Sequence, residues 1–278
     1  MNIRHLTLVT AALALTTALS GCGGSSANST VSASCKPAHT FSTITKGTLT
    51  VATYDLPPFS KLEGETITGV DGALITAIAK KECLTITAKS VATAAVIPTV
   101  QSGRADLAVG DWYRTAERAK IVALSDPLYT DQMALISKEG YTDIGLLKGK
   151  TVGTVDGYLW VNDLKKFLGG DLKVYSSTVN MNQDLKTGRI DVGIDSYGSG
   201  KFNNKDLKVE VADSHPEIAA SQEGAQASFP VPLSNKELLA AINADIADLH
   251  KSGELAKILT ANGLDATAAD TGSPRLIQ

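Results

Sequence analysis

The spacing of apolar positions changes repeatedly along the chain, and each change marks an element. Residues 49–53 follow Gly47 as a short β-rich run, which predicts a strand. Pro57 and Pro58 force a loop behind it. Leu74, Ile75 and Ile78 then recur at helical spacing over 71–81, with Asp71 placed to cap that helix. A strand over 84–88 follows, then a short helix marked by Val96, Ile97 and Val100 and closed by Gly103. Residues 106–109 predict the next strand, and 129–137 are extended. After Gly149 the alternation restarts, with strand 151–155, helix 158–168, strand 172–175, helix 179–186 and strand 190–194. Residues 228–231 read as an extended return. Ser234 and Glu237 match a capping box for a helix carrying Leu238, Leu239, Ile242, Ile246 and Leu249. A last helix holds Leu255, Ile258 and Leu259 and stops at Gly263.

Strand and helix alternate, so the fold class is α/β with a mostly parallel sheet. Two such units followed by a helical coda imply that the coda returns to the first unit. The expected organisation is two lobes: lobe 1 from residues 46–134 and 228–265, and lobe 2 from 135–227. The chain then crosses twice between lobes, and a small ligand sits in the cleft. Residues 266–278 carry too little apolar content to pack firmly and are expected to form a flexible tail.

The other end differs in kind. Arg4 lies in a short polar head, followed by an apolar stretch over 6–19. This reads as a signal peptide over 1–21, excluded from the fold. It ends in Leu19-Ser20-Gly21-Cys22, which resembles a bacterial lipobox; the resemblance implies lipidation of Cys22. Residues 22–45 are rich in Ser, Ala and Thr and read as a lipid-anchored flexible tether. Cys35 and Cys83 remain of the three cysteines; outside the cytoplasm they either pair or stay as thiols. Neither has metal-ligand spacing with a His, so no metal or cofactor is expected.

Composition narrows the partners. Hydrophobic residues at 43% and charged residues at 20% of 278 are ordinary for a globular chain. The formal net charge of -3 argues against a nucleic-acid partner. No internal run is long and apolar enough to cross a bilayer.

Several motifs, in order, carry a family resemblance. They are Gly47-Thr48-Leu49-Thr50-Val51-Ala52, Pro57-Pro58-Phe59, Gly69-Val70-Asp71, and the run from Ile97-Pro98-Thr99 to Ala105-Asp106. Thr115-Ala116-Glu117-Arg118 follows, with Ser125-Asp126-Pro127-Leu128-Tyr129, then Leu147-Lys148-Gly149-Lys150-Thr151-Val152-Gly153 and Gly188-Arg189-Ile190-Asp191-Val192. Together they resemble the family 3 extracellular solute-binding proteins of bacteria, receptors for polar amino acids that feed ABC importers. The resemblance implies a periplasmic-binding-protein-like fold of type II with the ligand in the cleft.

It also implies roles. Arg118 of the T-x-x-R motif grips a ligand carboxylate, for which a guanidinium offers two parallel donors. Thr115 contributes a hydroxyl and the N–H groups of a first helical turn. Asp111 and Tyr113, in the preceding turn, supply backbone contacts. Asp195, at a strand end of lobe 2, takes the α-ammonium. Gly157 brings backbone N–H groups, while Tyr158 departs from the small hydroxyl residue usual after that glycine. Tyr54, Leu56, Trp112, Tyr158 and Trp160 are candidates to wall the side-chain pocket. Asp55 and Asp111 could recognise a cationic side chain, with an apolar ligand equally open. Arg104 and Arg114 read as surface residues.

The expected function is a monomeric lipoprotein on the outer face of a membrane, periplasmic or exposed. It is not an enzyme: it captures a free amino acid or related small carboxylate by flytrap-like closure and delivers it to an ABC permease. Two alternatives stay open: an enzyme resembling the cyclohexadienyl dehydratases, and a sensor that presents ligand to a signalling partner. None of His5, His39, His215 and His250 lies in a family motif, which counts against the first.

Overall fold

Leu49, Val51 and Ala52 are sealed from solvent because the strand that carries them, Thr48–Thr53, is central in its sheet. It lies between Thr85–Ser90 and Leu107–Ala108, parallel to both. In this computed structural model, residues 31–32 and 34–278 are described. The signal segment, Cys22 and the rest of 1–30 lie outside the described residues. Helices Gly69–Lys81 and Thr93–Gln101 cover this first sheet. Helices Lys236–Lys251 and Glu254–Ala261 return to the same core, where Leu238, Ile242, Ile246, Leu255 and Leu259 join Leu49 and Val51.

The second lobe is built on a five-stranded sheet. Its order is Leu172–Tyr175, Val152–Val155, Val192–Ser196, Met133–Ser137 and Lys208–Val211. The first three are parallel, and Met133–Ser137 runs antiparallel to both of its neighbours. Every residue of Met133–Ser137 is buried, as its nearly continuous apolar run requires of a strand covered on both faces.

The passages between lobes run side by side. Thr130 pairs with Gln226 and Asp131 with Ala225 in a short antiparallel ladder. The same return strand, Ala225–Ser228, also pairs with Trp112–Tyr113. Few residues therefore connect the lobes, as hinge closure requires.

Several expectations are corrected. Asp71 does not cap its helix; Thr68 occupies the N-cap, and Asp71 is buried in the first turn. Asn235, not Ser234, caps the long return helix, accepting from the Leu238 N–H. The strand read over 190–194 is Val192–Ser196, so Asp195 lies within it. A hairpin of Lys61–Glu63 with Thr66–Thr68, helix Tyr197–Asn203 and edge strand Lys208–Val211 were not anticipated.

Both ends read as flexible are tied down where they are described. Ile277 is 7% exposed, accepts from the Ala116 N–H and donates to the Arg114 carbonyl. One buried side chain and a strand-like bridge suffice where low apolar content argued for none. At the other end, Cys35 and Cys83 form a disulfide across a sequence separation of 48. Closing a loop of that size removes about 4 kcal/mol of unfolded-state entropy. His39 Nδ1 lies 2.6 Å from Glu82 Oε1, and the Ile44 N–H donates to Asp106. His39, Glu82 and Asp245 bring a nitrogen and two carboxylates within 4.8 Å of one another. The Lys81 ammonium, 2.7 Å from Asp245, already supplies a cation there.

Candidate functional site

The turn from Gly110 to Tyr113 is held from both sides. Asp71 Oδ2 accepts from the N–H groups of Gly110 and Asp111, at 2.7 and 2.9 Å. Asp71 Oδ1 accepts from the Tyr129 hydroxyl at 2.8 Å. From above, the Tyr54 hydroxyl donates to the Gly110 carbonyl at 2.9 Å. A Cβ on Gly110 would lie 2.5 Å from the Tyr54 ring, and its φ is +123°, so the turn requires glycine there. Asp111 follows at φ 55°, a left-handed conformation that costs free energy in any residue with a Cβ.

Arg118 sits on the short helix Ala116–Ala119, whose N-cap is Thr115. The Thr115 hydroxyl accepts from the Arg118 N–H at 3.1 Å, and the Ala116 N–H is taken by Ile277. Two of the first-turn N–H groups are thereby used within the protein, while the Thr115 hydroxyl keeps its own hydrogen to donate. Arg118 Nη1 donates to the Tyr113 carbonyl at 2.8 Å, and the guanidinium lies 4.9 Å over the Trp112 ring. Burial lowers its pKa to about 10, so the group stays charged at neutral pH.

The opposing wall comes from the second lobe. Gly157 has φ +85°, and a Cβ there would meet the Ala94 Cα at 2.8 Å, so the turn presses on the first lobe. Tyr158 and Trp160 pack edge to face with centroids 5.2 Å apart, and Tyr113 meets Trp160 at 6.2 Å across the cleft. The Trp160 Nε1–H donates to the Thr154 hydroxyl at 2.8 Å, locking the ring.

These walls line a narrow, half-open cavity whose water-accessible space is about 20 Å³. Tyr54, Leu56, Asp111, Trp112, Tyr113, Arg118, Tyr158 and Trp160, all singled out from the sequence, line it together with Leu159 and Ser196. Thr115 and Gly157 line an adjoining outer recess that shares Arg118 and Tyr158. Asp195 lines neither. It is fully buried, accepting from the Ser196 N–H at 2.8 Å and the Ser199 hydroxyl at 2.9 Å at the start of helix Tyr197–Asn203. Asp55 is exposed and accepts from the Leu62 N–H. Arg104 is exposed, but Arg114 is half-buried and donates to the Leu124 and Ser125 carbonyls, correcting its reading as a surface residue.

The electrostatics are dominated by carboxylates. Burial raises Asp195 to about 7 and Asp131 to about 6, against opposing hydrogen bonds in each case. Asp111 is also raised, by burial first and then by the charges of Asp131 and Asp71. Asp111 Oδ1, Asp131 Oδ2, the Tyr113 hydroxyl and Ser196 Oγ are buried without a hydrogen-bond partner. Sequence reasoning missed Asp71, Asp131 and Ser196. A signal existed for Asp131, an acid entering the apolar run Met133–Ser137 where the chain changes lobe.

The geometry has counterparts among known proteins. The arginine-binding extracellular protein ArtP of Bacillus subtilis is 30% identical over 212 residues, covering 73% of this chain and 81% of the relative. An ancestral arginine-binding protein solved with arginine is 29% identical, with a TM-score of 0.69 over 78% of this chain and 99% of its own. The substrate-binding protein AbpA from Streptococcus pneumoniae, solved with L-arginine, is also 29% identical at a TM-score of 0.69, covering 81% of this chain and 96% of its own. The family model for bacterial extracellular solute-binding proteins, family 3, matches residues 49–263, and the chain belongs to that family.

Proposed function

We propose that this protein is an extracytoplasmic receptor that holds one free amino acid between its lobes and releases it to an ABC permease. The observation that carries the reading is Arg118. Its guanidinium lines the cavity, one nitrogen is spent on the Tyr113 carbonyl, and among the described residues it forms no ion pair. A ligand carboxylate completes it. The α-ammonium is directed toward the Asp195 and Ser196 side of the cavity, where a buried carboxyl that an ammonium would ionise and an unpartnered hydroxyl lie. Relatives of the same extent that bind amino acids support the class of ligand.

Lipidation of Cys22 would fix the receptor to the membrane face where the permease lies. In this reading the lobes close on the ligand, and the closed form is what the permease recognises. Native mass spectrometry of the purified protein should find a bound amino acid that leaves chemically unchanged. Arg118→Ala should remove about 2–5 kcal/mol of binding, as truncating one partner of a buried charge pair does. Unaltered affinity in calorimetry, or conversion of a cyclohexadienyl acid to product, would overturn the receptor reading.

A further inference from the structure

Residues 271–278 lie beyond the stretch that the family model matches, which ends at 263, yet they are closely held. They follow the short helix Ala266–Ala269, where Ala268 and Ala269 pack on the first-lobe core. The path then crosses the return strand Ala225–Ser228, where Gln226 is 1% exposed and spends both ends of its amide. Its Nε2 donates to the Thr271 and Ser273 carbonyls at 2.8 Å each, and its Oε1 accepts from the Arg275 N–H at 2.8 Å. The Arg275 guanidinium clasps the same strand at its start, donating to the Gly224 carbonyl and lying 3.2 Å from Glu223.

The path ends between the lobes. Its backbone pairs with the first lobe, since Ile277 accepts from the Ala116 N–H at 2.8 Å and donates to the Arg114 carbonyl at 3.0 Å, on either side of Thr115. Its side chain belongs to a buried cluster made mostly of second-lobe residues, among them Leu135, Trp160, Leu164 and Ile194. Ile277 and Gln278 also line the outer recess, with Thr115 and Arg118 on one side and Gly157 and Tyr158 on the other. One residue thus joins the turn that carries Arg118 to the core of the opposing lobe. Parting the lobes here either draws an isoleucine out of an apolar cluster or strips the backbone pairs beside Thr115. The first exposes apolar surface to water, and the second leaves backbone groups unpaired.

We propose that residues 271–278 are a strap across the ligand cleft and that Ile277 is a positioning residue within it. It holds the Thr115–Arg118 turn against the second lobe and slows escape of the ligand. This rests on the amino-acid reading above. Both tryptophans of the chain, Trp112 and Trp160, line the cavity, so stopped-flow fluorescence follows ligand exchange. The probes are the proteinogenic L-amino acids, supplied one at a time to the ligand-stripped protein. Whichever the parent binds, Ile277→Asp should release it roughly tenfold or more faster, with the association rate changed far less. Ile277→Leu keeps an apolar side chain in the cluster and should match the parent. Arg275→Ala loosens the strap without touching the core, so it carries the test even where Ile277→Asp fails to fold, and it should also speed release. Parental release rates in Arg275→Ala, or in a folded Ile277→Asp, would overturn the strap and leave the receptor reading intact, whatever the melting temperatures. Binding of no amino acid by the parent would overturn the receptor reading, and scattering then tests the strap alone. Ligand-free Arg275→Ala should have a larger radius of gyration than the ligand-free parent, and equal radii would overturn the strap.

Discussion

The two oxygens of Asp71 serve different partners. Oδ2 accepts from both N–H groups of the Gly110–Asp111 turn, while Oδ1 accepts from the Tyr129 hydroxyl. Asp71→Ala leaves three buried donors without this acceptor and should cost about 2–5 kcal/mol of stability in denaturant unfolding. Asp71→Asn can turn its carbonyl to the N–H pair and its amide to the tyrosine oxygen, so it should retain most of the stability. Equal losses in the two variants would refute this division of roles. The same residue shows what the sequence hides. Its position before an apolar helical run looks like a capping site, whereas its partners lie 39 and 40 residues further on. Arg118 was legible because its motif is local; Asp131 stood at the entry to an apolar run, but its burial depends on the register of a strand pair that the sequence does not show.

Elements were legible where the apolar period was strong. Strand Leu172–Tyr175 and the helix ending at Lys186 fall where the pattern put them. Helix Tyr197–Asn203 did not show, since two glycines in seven residues weaken its propensity. Its glycines are there for packing: a Cβ on Gly198 would lie 2.6 Å from the Phe59 ring of the other lobe. The turn at Gly157 makes the matching contact against helix Thr93–Gln101. Gly157→Ala should therefore hold these two elements apart. Small-angle scattering of the ligand-saturated variant should give a larger radius of gyration than the parent; identical radii would show that the contact does not limit closure.

For the whole molecule, the buried acids couple stability and binding to pH in opposite senses. Asp131 at about 6 and Asp195 at about 7 lie above the ordinary carboxylate value of 3.8 because of burial. Asp71 and Asp111 are raised as well, and Arg118, Tyr54, Tyr113 and Tyr158 face the same space. A raised carboxyl binds more protons folded than unfolded, so these groups make the ligand-free protein less stable as pH rises through their folded values. Between about pH 5 and about pH 8 its melting temperature should fall from this contribution. A ligand whose ammonium lies against these acids prefers them ionised, so the increase in melting temperature that it produces should grow over the same interval. Differential scanning fluorimetry with and without ligand checks both signs, and parallel curves would refute the coupling.

The Cys35–Cys83 disulfide has a consequence at the membrane. If Cys22 carries lipid as proposed, the covalent leash runs only from Cys22 to Cys35, which spans about 45 Å at full extension. The staple fastens that leash to the first lobe, so the second lobe can swing without pulling on the anchor. A receptor confined to so thin a layer meets a permease in the same membrane at an effective concentration on the order of millimolar. Capture efficiency then depends on how the receptor is leashed as well as on how tightly it holds its ligand.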